Sequence, residues 1–208
     1  TSPRLLLMDE PLAALDKRSR DEILPYLERL HEELRMPVWY VSHAPEEVAR
    51  LADHLVLLDE GRVKAAGPIA ELTTRLDLAS EAGNEAGVVI DARVAEHDAE
   101  YPLSYLQAPG ARFVVARVDR PVGAPLRLRV LARDVSLTLQ PPGATSILNV
   151  FPARVTQRVA DASAQVLVRL DLGGTVLLAR ITRKSADLLG LQEGQALFAQ
   201  IKAVALFP

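Results

Sequence analysis

An α/β portion followed by an all-β tail is the fold class that this sequence predicts, and three observations predict it. Over residues 1–67, short apolar runs alternate with stretches whose apolar residues recur at helical spacing. From Val88 onward the spacing changes to period two, in segments punctuated by turn sequences. Between these regions, "IAELTTRLDLASEAGNEAG" (Ile69–Gly87) begins helical and ends in the small residues of a linker.

The elements follow in order. Leu5–Met8, "VWYVS" (Val38–Ser42) and "LVLL" (Leu55–Leu58) are continuous apolar runs that suit strands of a parallel sheet buried on both faces. Ile23, Leu24, Leu27, Leu30 and Leu34 set a helix over Asp16–Arg35, with Asp16 as its N-cap and Pro25 an awkward interior residue. "PEEVARLA" (Pro45–Ala52) reads as a second helix with proline at a favoured first position. Strand, helix, strand, helix, strand is a doubly wound pattern. "DEGR" (Asp59–Arg62) is a tight turn and "RVKAAG" a short return strand. In the tail, "RFVVARVD", "LRLRVLARDVSLTL", "ARVTQRV", "AQVLVRLDL", "TVLLARIT" and "ALFAQIKAVAL" are strand-like, separated by "RPVGAP", "QPPGA", "LGG" and "QEG". Short strands at such intervals build small barrels or sandwiches. Arg129–Leu137 resembles Ala199–Leu206 when Val135 and Leu137 align with Val204 and Leu206, a faint internal repeat joined near Pro141–Ala144.

Composition bounds the function. With 208 residues the chain makes one large or two small domains, and 49% hydrophobic with 25% charged residues fits a globular protein. A net charge of −3 without a basic block argues against non-specific nucleic-acid binding, so no nucleic-acid partner is expected. The chain has no cysteine, which excludes disulfides and thiolate metal sites. No apolar run approaches the ~18–20 residues of a membrane span, and no signal segment opens the chain; a cytosolic setting is the expectation. Thr1 is not a start methionine, which fits either methionine removal or a piece of a longer chain.

The chemistry starts at "LLLMDEPLAALD" (Leu5–Asp16). An apolar strand ending in Asp-Glu puts two carboxylates at a sheet's C-terminal edge, where α/β sheets bind ligands. Asp9 suits Mg²⁺, through water, and Glu10 suits a general base for an attacking water. Alone, that ending is equally read as a surface turn, His43 as an ordinary hydrogen-bonded residue and Asp16 as a helix cap.

Together, "LLLMDEPLAALD" and "VWYVSHAPEEVARLADHLVLLDEGRV" closely resemble the second half of an ABC-transporter ATPase domain. The resemblance implies a Walker B strand at Leu5–Asp9, Glu10 as the catalytic glutamate, a D-loop around Leu15–Asp16 and the switch histidine at His43. In that family the histidine contacts the γ-phosphate and the D-loop crosses the dimer interface. Ala44 stands where an acidic residue is common. The family's phosphate-cradling Walker A loop, nucleotide-stacking aromatic, Q-loop and signature sequence are absent from this sequence, so a truncated polypeptide, inactive alone, is the expectation.

"TSILNVFPARV" (Thr145–Val155) and "ARITRKSADLLGLQEGQALFAQIKAV" (Ala179–Val204) look like the molybdate-binding module of the Mop/TOBE family, in the order Ser-x-x-Asn, Thr-x-x-Ser, Ile-Lys-Ala. That resemblance implies Ser146, Thr182, Ser185 and Lys202 as oxyanion ligands shared across subunit boundaries. Hydroxyls donate, one lysine supplies charge, and a helix N-terminus after Ser185 adds oriented dipoles. The arginine frequent in the family two residues after the first serine is replaced by Leu148. The same residue types also serve as turn caps and as a snorkelling lysine. In the first β unit Arg133 aligns with Lys202, but no Thr-x-x-Ser stands out.

The predicted architecture is thus part of a P-loop ABC ATPase domain with a largely parallel sheet (residues 1–85), then OB-like Mop/TOBE units at about 86–143 and 144–208. The whole chain resembles the C-terminal part of a molybdate-importer ATPase subunit. That implies ATP and Mg²⁺ as cofactors, molybdate as regulatory ligand, a homodimer, and a membrane permease served indirectly by a periplasmic binding protein. It also implies a peripheral place on the cytoplasmic face of the bacterial inner membrane. The competing readings are an oxyanion binding or storage module and a purely structural dimerisation tail.

Overall fold

The computed structural model describes residues 4–34, 36–160 and 164–207, in two compact units that divide between Ile69 and Ala70. Arg35, the expected end of the first helix, lies outside the described residues, as does Thr1.

In the first unit, β1 (Leu6–Asp9) and β2 (Val38–Val41) pair in parallel, with Leu7 beside Trp39 and Asp9 beside Val41. Helix α1 (Lys17–Leu34) crosses between them and runs through Pro25. Helix α2 (Pro45–Leu51) starts on its proline, as expected from the missing N–H. The third run departs from the doubly wound expectation. β3 (His54–Asp59) is not joined to β1 and β2; it forms an antiparallel hairpin with β4 (Arg62–Pro68). The two-residue turn Glu60-Gly61 has positive φ at both positions, 48° and 74°, which is the type I′ geometry that matches strand twist. Among the described residues the largely parallel sheet is therefore present only as one parallel pair. Burial on both faces is not seen either: Leu7 is 69% and Trp39 58% exposed, and the residues alternating with them are only partly buried.

In the second unit, α3 (Ile69–Leu72) leads into α4 (Leu76–Glu81), whose Leu76 and Ala79 enter the same core as the strands. Two five-stranded antiparallel sheets follow. The first holds β5 (Gly87–His97), β6 (Leu103–Ala108), β7 (Ala111–Ala116) and β8 (Pro125–Leu131). The second holds β10 (Asn149–Ala160), β11 (Gln165–Asp171), β12 (Val176–Thr182) and β13 (Ala196–Ile201), with helix α5 (Arg183–Leu188) after β12. The long segment "LRLRVLARDVSLTL" is broken by a 3₁₀ turn at Ala132–Asp134, so its end forms a separate strand, β9 (Val135–Thr138). "ALFAQIKAVAL" is broken likewise, giving β14 (Ala205–Phe207).

These two short strands change sides. β9 pairs with β13 of the second sheet, and β14 pairs with β8 of the first. The faint sequence repeat falls on these equivalent strand–turn–strand segments. It extends to the bulges, between Val94 and Glu96 in β5 and between Val155 and Gln157 in β10. The Leu103↔Ala116 pair of β6–β7 corresponds to Leu167↔Arg180 of β11–β12. Buried alternate residues of both sheets, such as Val88, Leu106, Phe113, Leu128, Val155, Leu167, Leu177 and Ala199, form one continuous core. Period-two alternation with one face inward explains it.

Candidate functional site

Two groups of predicted residues lie in separate units and are described separately. In the first unit, Glu10 follows β1 with φ 46°, a left-handed conformation costly for a residue with a Cβ. Hydrogen bonds hold it there. Its N–H donates to the Val41 carbonyl at 2.9 Å, and its Oε1 accepts from the His43 N–H at 3.0 Å. His43 Nδ1 lies 2.7 Å from the same Oε1, with the imidazole 82% exposed. Parallel pairing of β1 with β2 brings the two strand ends together, and so brings together residues 33 positions apart. Glu10 Oε2 makes no hydrogen bond among the described residues.

Asp9 is exposed one residue earlier. Among the described residues no group of three or more His, Cys, Asp or Glu is placed to hold a metal. Asp9 alone fits the mode in which Mg²⁺ takes one carboxylate and otherwise phosphates and water. Asp16 caps α1: its Oδ1 accepts from the Ser19 N–H at 2.9 Å and its Oδ2 meets the Ser19 hydroxyl at 3.2 Å. The Ser19 backbone N–H, then its hydroxyl, hold the Asp16 carboxyl below the usual carboxylate range.

Behind His43 lies a residue that the sequence reading missed. Glu47 of α2 is 2% exposed, and its Oε2 accepts from the Tyr40 and Ser42 hydroxyls, each at 2.8 Å. Arg20 of α1 approaches its Oε1 at 3.3 Å and donates to the Leu15 carbonyl at 3.4 Å. Burial, then the bond to Glu47, pushes the Tyr40 phenol up. The network ties the Leu15–Asp16 turn to the Ser42–His43 turn. Tyr40 and Ser42 share one face of β2 by period two, which was legible; that Glu47 faces them was not.

In the second unit, Thr182 is the N-cap of α5, its hydroxyl accepting from the Ser185 N–H at 3.1 Å and lying 2.8 Å from the Ser185 hydroxyl. The helix thus begins two residues before Ser185, not after it, and is six residues long, with Ser185 in its first turn. Ser146 and Lys202 are exposed, and neither side chain makes a hydrogen bond or ion pair among the described residues. They flank the Asn149↔Ile201 end of the β10–β13 ladder. Thr182 pairs with Gln165, beside the opposite end of β10, where Ala160 meets Val166. One copy of the chain therefore presents the four residues as two pairs at opposite ends of a strand. Leu148 is 62% exposed beside the first pair.

Asn149 of the Ser-x-x-Asn order has a structural task. Its Oδ1 accepts from the Val114 N–H at 2.7 Å and its Nδ2 donates to the Val114 carbonyl at 2.8 Å. This clamps β10 to β7, next to the Phe113–Phe151 ring contact at 4.9 Å. In the first half of the repeat, Val118 and Pro121 stand where Thr182 and Ser185 do, and proline has no N–H to donate. Two surface cavities, about 440 and 620 Å³, are lined by other residues, including Tyr105 and Arg112 in one and Arg75 and Arg169 in the other.

The interlocked β unit and its Thr-x-x-Ser corner define a class: residues 145–208 match the family model of the TOBE domain. Over 99% of its length the chain is similar to curated proteins called Molybdenum import ATP-binding protein ModC. It is 59% identical over 206 residues to the one from Aromatoleum aromaticum, covering 55% of that protein. It is 57% identical over 209 residues to the one from Pseudomonas fluorescens, covering 58% of that protein. The chain thus spans a little over half the length of the curated relatives it matches, and its resemblance to a molybdate-importer ATP-binding subunit rests on them. A solved structure of the cytoplasmic molybdate-binding protein ModG aligns with 57% of this chain and 94% of that chain at 23% identity and TM-score 0.49, too low to carry an argument.

Proposed function

We propose that this chain is part of the ATP-binding subunit of a molybdate ABC importer, and that its β unit takes up molybdate as a cytoplasmic sensor. The observation that carries this reading is the 59% identity, over 99% of the chain, to a molybdenum import ATP-binding protein. In this reading the complete subunit dimerises, binds ATP with Mg²⁺ near Asp9, and works with a membrane permease and a periplasmic binding protein from the cytoplasmic face of the membrane. Glu10 orients the attacking water with its second carboxylate oxygen, and His43 holds the first while reaching toward the nucleotide. Asp16 keeps the turn before α1 in place.

Ser146 and Lys202 of one copy meet Thr182 and Ser185 of another around the oxyanion. The two-ended arrangement within one copy supports that sharing, because hydroxyl donors and a lysine suit a tetrahedral dianion. Bound molybdate regulates transport by preferring one dimer geometry, which requires different affinities for two states. Calorimetry on the full chain tests the reading, with molybdate titrated and sulfate as control. Micromolar or tighter molybdate binding, lost in Lys202→Ala, is the expected result. No heat from a folded dimer would leave a dimerisation tail, the alternative that the exposed Leu148 favours.

A further inference from the structure

The first half of the β repeat contains a corner equivalent to the Ser146–Lys202 corner, and its chemistry is different. Counting back from the matching bulges of β5 and β10, Glu85 occupies the position of Ser146. Counted back from Val135 of β9 and from Val204 before β14, Arg133 occupies the position of Lys202, the turn after β8 being two residues longer than the turn after β13. In the second half the serine and lysine side chains have no partners among the described residues. In the first half the carboxylate is shared between two arginines. Glu85 Oε1 accepts from Arg133 at 3.0 Å, and Oε2 lies 3.4 Å from Arg129. The same arginines also donate to the backbone carbonyls of Asn84, at 2.9 Å, and Glu85, at 3.0 Å. The Arg129 side chain is only 10% exposed, so its charge needs a compensating anion close by.

We propose that Glu85 is a built-in anion: its carboxylate fills, from within the chain, the place that a tetrahedral oxyanion takes in the second half, and so confines oxyanion binding to one site per chain. This rests on the reading of the second half as an oxyanion site. Two features support it. Val118 and Pro121 remove the hydroxyl and N–H donors of Thr182 and Ser185. The forked hydrogen bonding of one carboxylate by two guanidinium groups is the geometry with which arginines otherwise hold an oxyanion.

The test removes the carboxylate charge in a background where the second site is silenced. The full chain is prepared as wild type, Lys202→Ala, Lys202→Ala with Glu85→Gln, and Lys202→Ala with Arg133→Ala. Molybdate is the probe, by equilibrium dialysis and thermal unfolding, with sodium chloride at matched ionic strength as control. Glutamine keeps an oxygen for one arginine, and Glu85→Ser, which places the second half's residue there, serves if the glutamine chain does not fold. The expected result is one molybdate per wild-type chain and none for Lys202→Ala. The Glu85→Gln, Lys202→Ala chain regains a weaker site, its Tm rising by about 3–5 °C in millimolar molybdate. Molybdate bound by Lys202→Ala and lost with Arg133→Ala would overturn the proposal, as would a Glu85→Gln, Lys202→Ala chain indifferent to molybdate. A wild type that binds no molybdate sinks the second-half site instead, and the glutamine chain still decides the role of Glu85.

Discussion

Replacing Asn149 by alanine tests how the halves of the β unit are joined. Asn149 is 9% exposed and completes both backbone groups of Val114, at 2.7 and 2.8 Å. Alanine deletes both bonds and leaves a strand N–H and a carbonyl facing an apolar side chain. A net hydrogen bond is worth about 1 kcal/mol, and each group left unsatisfied on burial costs about 1–3 kcal/mol. Val114 is half-buried, so water relieves part of that penalty, and a total loss of about 2–4 kcal/mol follows. For a unit of this size the loss lowers Tm by roughly 10 °C. Urea unfolding followed by tryptophan-independent circular dichroism gives the assay: the midpoint moves down while the slope is unchanged. Asn149→Asp keeps the acceptor for the Val114 N–H but sets a carboxylate against the Val114 carbonyl, so its deficit is larger at neutral than at acid pH. A loss below ~0.5 kcal/mol for the alanine variant would refute the clamp, since that is the scale of an ordinary surface substitution.

Gly110→Ala is expected to destabilise the β unit by several kcal/mol, on the order of 2–4. Its φ is 69°, and a Cβ there would sit 2.4 Å from the carbonyl oxygens of Leu172 and Gly173; calorimetric unfolding unchanged from wild type would contradict that close approach. Acid weakens the fold through three carboxylates held below their ordinary range: Asp98 by the Tyr101 N–H and then the Tyr105 hydroxyl, Asp77 chiefly by Arg75, and Asp16 by Ser19. Their contribution is fully present above about pH 4 and is lost as pH falls through the lower folded values. A Tm against pH profile shows it, and one that stays flat below pH 4 would contradict it.

What the sequence determined by itself was local. Asp16 was legible at its helix start because a side chain caps its own next turn, whereas the start of α5 at Thr182 was placed too late, after Ser185. The Asp59–Arg62 turn was legible because two positive-φ positions select few residues. From β7 onward the tail's strand segments were legible because alternation records one buried face, while β5 and β6 were not singled out; Glu10 and His43 were singled out through resemblance, in separate roles. Tertiary structure alone decided the rest. The third apolar run reads the same whether it joins β1 and β2 or folds back on β4, and the run carries no register. The exchange of β9 and β14 depends on which sheet edge is open, a property of the assembled core. Glu47 beneath Ser42, Asn149 against Val114, and Glu85 between two arginines are meetings of residues brought together by packing. A carboxylate or amide shows its donors and acceptors in the sequence, but packing selects which group answers it.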